Sequence, residues 1–222
     1  MNRSAAVIGW GKSGQGAAGA LLARDWSVRA YASRATASLS FDDVADVPVH
    51  VEEDANALAA AVLDARPDLV VVSPGIPAHH PIFAACEQAG IDLWGEVELA
   101  WRLQEEGPHA GRPWLTVTGT NGKTTTVGML GQILRASGVK AEEVGNIGTP
   151  ITRAIDSDAE VFAVELSSFQ LHTARTVRPH ASVCLNVDAD HLDWHGSVEA
   201  YAADKARVYE NTIRACVYPA SD

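Results

Sequence analysis

Trp114-Leu-Thr-Val-Thr118-Gly-Thr-Asn-Gly-Lys123-Thr-Thr-Thr126 is the stretch that decides the fold. Trp114–Thr118 is an aromatic and β-branched run that reads as a strand, and Thr124–Ala136 behind it reads as a helix. A glycine-rich turn between strand and helix that ends in Lys-Thr is a phosphate loop. Successive backbone N–H groups and Lys123 can cradle triphosphate oxygens, and the Thr124 hydroxyl can reach Mg²⁺. The spacing is GxxGKT, two residues tighter than the general GxxxxGK(S/T) loop, so this is a variant. The bland alternative is an incidental Lys at a helix start.

Outward from that loop the chain alternates short apolar strands with longer alanine-rich helical patterns. Upstream, Val7–Ile8 opens a strand, Gly14–Arg24 reads as a helix and Val28–Tyr31 as a strand. Asn56–Leu63 is helical, Leu69–Val72 a buried strand stopped by Ser73-Pro74-Gly75, Pro81–Gln88 helical, Ile91–Trp94 a strand and Glu96–Gln104 a helix. Downstream come a strand around Val139, strands Val161–Leu166 and Ala181–Val187, a helix over Val198–Tyr209 and a strand over Ala215–Tyr218. Such alternation predicts βαβ units and mostly parallel sheets, an α/β fold. Glu105–Pro113, EEGPHAGRP, lacks apolar periodicity and marks the domain boundary: 1–106, a linker over 107–113, then 114–222. The second domain stops after a strand with no closing helix, so it reads as incomplete at its C-terminus.

Three further motifs carry chemistry. Gly9-Trp-Gly11-Lys-Ser-Gly14 follows a strand and opens a helix, a GxGxxG turn that lets the backbone approach a pyrophosphate at the helix N-terminus. A nicotinamide site would carry an acid about 20 residues on. The second strand instead runs Val28-Arg-Ala-Tyr-Ala-Ser33-Arg34, with no acid at its end. The loop therefore suits a diphosphate without the usual dinucleotide, or else is a tight turn with no ligand. Glu165, at the C-terminal end of an apolar strand in Glu165-Leu-Ser-Ser-Phe-Gln170, is a reasonable magnesium ligand beside a phosphate loop. Asn186-Val-Asp-Ala-Asp-His191-Leu-Asp-Trp-His195 packs three carboxylates and two imidazoles into ten residues, a metal site or a polar loop. No further His or Cys at suitable spacing supports zinc. Tyr201–Asn211 reads as an amphipathic helix in which Lys205 looks like a surface charge.

The 222 residues carry 17 Lys and Arg against 28 Asp and Glu, a formal net charge of −11. That balance argues against a general nucleic-acid binder, which needs clustered cations for phosphates. Hydrophobic residues at 47% and charged ones at 20% exclude a largely disordered chain. Cys86, Cys184 and Cys216 form no CxxC pair, which fits a reducing compartment. MNRSAAVIGWGKSG meets glycines too soon for a signal peptide, and no stretch reaches the ~18 apolar residues of a membrane span. A cytoplasmic chain without membrane insertion is the expectation.

Taken in order, TGTNGKTT, GNIG (Gly145–Gly148), ELSSFQL, NVDADHLDWHGS and YAADKARVYEN resemble the Mur ligases, ATP-dependent enzymes that build the peptide stem of bacterial cell-wall peptidoglycan precursors. ELSSFQL, with SPGI (Ser73–Ile76) and GEVELAWR, resembles the family's D-glutamate-adding branch. The resemblance implies a Rossmann-like N-terminal domain that binds a UDP-sugar, followed by a P-loop-type ATPase domain. It implies a ligase that joins D-glutamate to UDP-N-acetylmuramoyl-L-alanine: the alanyl carboxylate attacks the γ-phosphate of ATP, and the D-glutamate amine then displaces phosphate from the acyl phosphate.

By that resemblance Gly119, Thr120, Asn121, Gly122, Lys123, Thr124 and Thr125 bind ATP, with Lys123 on the γ-phosphate. Thr124 and Glu165 hold one Mg²⁺, and His191 sits at a second with Lys205, carbamylated by CO₂ into an oxygen ligand. Lys123, His191 and Lys205 are thus the catalytic candidates. Lys12, Ser13, Ser33, Arg34, Ser73 and Gly75 contact the uridine diphosphate, while Asn146, Ser167 and Gln170 reach towards the muramoyl-alanine part. The Ser167–Ser168 pair reads as positioning, since the chemistry needs no enzyme nucleophile. Family members are longer, so a monomeric, truncated chain unable to complete the ligation alone is expected. The alternatives are another Mur ligase, a folylpolyglutamate synthetase-like ligase, an NAD(P)-linked oxidoreductase, or a P-loop module that only binds.

Overall fold

A computed structural model describes residues 3–35, 38 and 40–220. The ends of the expected domain ranges, 1–2 and 221–222, lie outside the described residues. Backbone proximity divides the chain into two compact units, Met1–Leu99 and Ala100–Asp222.

The first unit runs β1 (Ser4–Ile8), α1 (Lys12–Leu22), β2 (Ser27–Ala32), β3 (Val49–Val51), α2 (Ala55–Asp64), β4 (Leu69–Val72), α3 (Pro81–Ala89), β5 (Asp92–Gly95) and the start of α4 (Glu96–Glu106). Its five strands pair in the order β3-β2-β1-β4-β5, all parallel. The order reverses between β1 and β4, which opens a crevice at their C-terminal ends. Ala6, Ile8, Tyr31, Val70 and Val72 from the strands meet Leu58, Ala59, Val62, Ile82 and Cys86 from α2 and α3 in one core. Asp54 caps α2 by accepting from the Ala57 N–H at 2.8 Å, and the His80 imidazole caps α3 by accepting from the Ile82 N–H at 3.2 Å. The turn after β1 is closed by sterics. A Cβ on Gly14 would run into the Gly9 carbonyl oxygen, and Gly9 sits at φ +91 with Ser73 against it.

The second unit continues with β6 (Trp114–Thr118), α5 (Lys123–Ala136), β7 (Ala141–Gly145), α6 (Ile151–Ala154), β8 (Val161–Glu165), α7 (Ser168–His172), β9 (Ala181–Cys184), α8 (Leu192–His195), α9 (Val198–Ala206) and β10 (Ala215–Val217). These strands form a second all-parallel sheet, β10-β9-β6-β8-β7. Trp114 is fully buried, donates from Nε1 to Gln104 Oε1 at 2.9 Å and meets Trp101 edge-on at 5.2 Å. Arg112 closes the Gly- and Pro-rich segment before β6. Its guanidinium donates to the carbonyls of Ile155 at 3.1 Å and Ser157 at 2.7 Å and lies over the Phe162 ring.

Several expected elements shift: the helix read over Gly14–Arg24 runs two residues earlier, and the strand read over Ala181–Val187 ends at Cys184. The strand expected around Val139 is β7, two residues later, because Val139 still closes the α5 terminus by donating to the Leu134 carbonyl. The helix expected to run to Tyr209 is α-helical only to Ala206 and finishes in a 3₁₀ turn over Arg207–Tyr209. β3, α6, α7 and α8 are short elements that apolar periodicity does not reveal.

Candidate active site

The centre of the second sheet ends in three loops that meet. β6 runs into Gly119–Gly122, β8 ends at Glu165, and β9 leads to Asn186. Gly119 (φ +152) and Gly122 (φ +84) adopt backbone that side chains rarely enter, which bends the loop onto the N-terminus of α5. The first N–H groups of a 14-residue helix have no intrahelical acceptor and point at whatever lies in the loop. Asn186 fixes the loop from β9: its Oδ1 accepts from the Asn121 N–H at 2.9 Å, and its carbonyl accepts from the Thr120 N–H at 3.0 Å. The Thr120 hydroxyl lies 3.0 Å from the Tyr201 hydroxyl.

Two ammonium groups converge on this loop. Lys123 Nζ donates to the carbonyls of Gly119 (2.8 Å) and Thr120 (2.9 Å), and Lys205 Nζ donates to the same Gly119 carbonyl at 2.8 Å. Lys205 is only 2% exposed, with its charge 4.7 Å from the Tyr201 ring centroid. Burial, then the nearby Lys123 cation, pushes its pKa down to about 8. The pattern of the helix makes Lys205 look solvated; tertiary packing puts it at the phosphate loop. A pair of cations around one bend of backbone is an anion site in electrostatic terms.

On the other side of the loop, Thr124 Oγ1 donates to Glu165 Oε2 at 2.9 Å and Asn146 Nδ2 donates to Glu165 Oε1 at 3.0 Å. Glu165 is 2% exposed. A hydroxyl and a carboxylate are the hard oxygen donors that Mg²⁺ prefers, so these residues fit one ion. His191 stands apart from Lys205 in its bonding. It takes φ +51 at the head of α8, approaches Asp190 through Nε2 at 3.4 Å, and lies tilted on Phe169 at 4.8 Å. Among the described residues no group of three or more His, Cys, Asp or Glu side chains could hold a metal ion. Ser167 and Gln170 bond each other in a capping box at the start of α7, with Gln170 Oε1 accepting from the Ser167 N–H at 3.0 Å.

The first unit holds the other candidate residues at the crevice end of its sheet. Ser73 Oγ donates to the Gly9 carbonyl at 2.8 Å and so braces the glycine turn. A Cβ on Gly11 or on Gly75 would meet nothing within 4 Å, whereas Gly9 and Gly14 are demanded by packing. Gly11, at the turn between β1 and α1, and Gly75, after β4, thus face open space. Ser33 and Arg34 follow β2, both exposed, and Lys12 and Ser13 begin α1. Sequence reasoning missed Gln15, which is buried and accepts from the Ser40 N–H at 2.6 Å while donating to the Trp10 carbonyl at 3.0 Å. It also missed Asn186 and Tyr201, whose partners on the phosphate loop are 65 and 81 residues away.

Two all-parallel α/β units, one opening on a GxGxxG turn and one carrying a GxxGKT loop, are the pair of domains by which the Mur ligase class is built. The MurD-like N-terminal domain model of that family matches residues 3–95, and the Mur ligase middle domain model matches residues 117–221. The chain belongs to the Mur ligase family. Among curated relatives, the UDP-N-acetylmuramoylalanine–D-glutamate ligase of Leifsonia xyli subsp. xyli is 43% identical over 229 residues, covering 97% of this chain and 44% of that protein. Its counterpart from Frankia casuarinae is 46% identical over 227 residues, covering 97% and 45%. That of Streptomyces coelicolor is 54% identical over 157 residues, covering 70% and 33%. The chain thus spans less than half the length of these relatives. The fold also matches the UDP-N-acetylmuramate:L-alanyl-γ-D-glutamyl-meso-diaminopimelate ligase of Neisseria meningitides, with TM-score 0.61 at 19% identity over 100% of this chain and 72% of that one. No helix among the described residues is long and apolar enough to cross a membrane.

Proposed function

We propose that this chain forms the UDP-sugar-binding and ATP-binding parts of the ligase that adds D-glutamate to UDP-N-acetylmuramoyl-L-alanine in the cytoplasm, as a monomer. The observation that carries the reading is the convergence of Lys123, Lys205 and the Thr124–Glu165 pair on one glycine loop. The names of the relatives at 43–54% identity supply the substrate class. The UDP-sugar site lies in 1–106, the ATP site in 114–222, and 107–113 links them.

The chemistry faces an electrostatic barrier, because a carboxylate must approach a triphosphate. The N–H groups of the loop and of the first turn of α5 take the bridging oxygens, and Lys123 turns from two carbonyls to the γ-phosphate. Thr124 and Glu165 are the residues that would hold Mg²⁺, which when bound would neutralise phosphate charge in the approach and in the transition state. A protonated Lys205 would repel a second ion. Burial lowers the Lys205 pKa to about 8, which favours the neutral amine that CO₂ would carbamylate with loss of a proton; only in that carbamate form, released from the Gly119 carbonyl, would Lys205 join His191 in holding a second Mg²⁺. Asn146, Ser167 and Gln170 then orient the muramoyl-alanine carboxylate. In the first unit, Gly11, Gly75, Ser13 and Arg34 receive the uridine diphosphate, with Lys12, Ser33 and Ser73 beside them.

Calorimetric titration with UDP-N-acetylmuramoyl-L-alanine, with NADH and NADPH as controls, tests this function. Saturable binding of the nucleotide-sugar alone, weakened by Arg34→Ala, is the expected result. Tight dinucleotide binding would instead favour an oxidoreductase and overturn the proposal.

A further inference from the structure

Beside the phosphate loop lies a buried hydrogen-bonded chain that none of this chemistry uses. On α9, the Asp204 carboxylate faces two imidazoles, His172 Nδ1 at 3.0 Å and His195 Nδ1 at 3.0 Å. His195 Nε2 lies 3.0 Å from Ser168 Oγ at the start of α7. Its ring stacks on Phe169 at 5.4 Å and 11°, and meets Tyr201 edge-on at 5.2 Å. Ser, His and Asp follow one another as in a nucleophilic relay. Ser168 is 2% exposed and the His195 side chain 0%, so an acyl group has no access to that hydroxyl. The chain of bonds therefore joins helices rather than performing hydrolysis.

What it joins is informative. Asp204 immediately precedes Lys205, whose ammonium holds the Gly119 carbonyl. One turn earlier, Tyr201 meets the Thr120 hydroxyl. At the other end, Ser168 adjoins the Ser167–Gln170 cap of α7, and Phe169 carries both the His195 and His191 rings. One imidazole thus bonds α7 and α9 together, and α9 delivers two side chains to the phosphate loop. We infer that His195 is a positioning residue: by bonding Ser168 and Asp204 it sets where Lys205 and Tyr201 meet Gly119 and Thr120.

His195→Phe keeps a ring on Phe169 and Tyr201 while deleting both polar bonds, and His195→Asn retains a donor where Nδ1 stood. Backbone ¹H–¹⁵N spectra and ATP titrations of the wild type and both variants, alone and in Lys205→Ala, test the inference. The Gly119 and Thr120 amide resonances should move in His195→Phe and return towards wild type in His195→Asn. ATP affinity should fall about tenfold in His195→Phe, with no further fall in the Lys205→Ala background, since residues acting through one contact are non-additive. Shifts confined to the neighbourhood of residue 195, or effects that add fully with Lys205→Ala, would overturn it. The affinity arm rests on the ATP-binding reading, which Lys123→Ala tests separately; the amide shifts need no nucleotide. If His195→Phe fails to fold, Ser168→Ala, which deletes one of the two bonds, gives the same two readouts.

Discussion

Gly145 ties the geometry of the Glu165 carboxylate to a single backbone position. It ends β7 at φ +116, opposite Glu165 in the parallel register, and its N–H donates to the Thr149 carbonyl at 3.1 Å. A Cβ there would run into the Glu165 carbonyl oxygen and lie 3.1 Å from its carbon and 3.2 Å from its nitrogen. Alanine therefore meets both an unfavourable φ, about 1–3 kcal/mol, and main-chain overpacking, about 1–3 kcal/mol. The sum is roughly 4 kcal/mol, and at about 4 °C per kcal/mol for a unit of this size the midpoint should drop by about 15 °C. Relief requires β8 to move away at Glu165, which stretches the bonds from Thr124 and Asn146. Thermal unfolding by circular dichroism and Mg·ATP titration well below the midpoint measure both consequences; magnesium-dependent affinity should fall about tenfold, the equivalent of one charge-assisted hydrogen bond. A Gly145→Ala chain that melts within about 2 °C of wild type and binds Mg·ATP normally would refute the reasoning.

Lys123→Ala should leave the melting temperature nearly unchanged, because its ammonium bonds only carbonyls of its own loop. ATP affinity should fall by about 10–100-fold, the worth of one or two charge-assisted bonds; unchanged affinity would remove Lys123 from the site. Arg112→Met keeps the stem but strips the bonds to Ile155 and Ser157 and the contact with Phe162, so urea unfolding should show a loss of about 2–4 kcal/mol. An unshifted midpoint would mean the segment before β6 is not anchored there. His80, whose pKa is lowered by burial and then by His79, caps α3 with an unprotonated nitrogen. Its folded state binds fewer protons than the unfolded chain, so its contribution is full above the ordinary histidine pKa near 6.5 and is lost as pH falls from there through the lower folded value. His80→Asn keeps an acceptor without a titration and should flatten the pH dependence of stability just below about pH 6.5; an unchanged slope would exclude His80 as its source.

Local signals made much of the site legible. The phosphate loop can be read because strand, glycine bend, Lys-Thr and helix are contiguous, and each needs only its neighbours to declare itself. Glu165 can be read because an apolar run stops at it. β3 and β7 could not be placed as easily: both lie at a sheet edge, and Ala141-Glu-Glu-Val-Gly145 carries acids where a central strand would be apolar. Lys205 was nameable from resemblance, but nothing in the spacing of α9 distinguishes a charge turned to solvent from one turned inward.

By itself the sequence determined two α/β units and the glycine-rich strand-to-helix turns at Gly9–Gly14 and Gly119–Lys123, because these depend on short-range φ/ψ requirements and apolar periodicity. Only the tertiary structure decided that Asn186 and Tyr201 brace the loop, that Lys205 is buried on Gly119, and that His195 links Ser168 to Asp204. Those contacts join residues 9 to 86 positions apart across a folded sheet. They exist once burial has removed water as the competing partner, and burial is a property of the assembled chain.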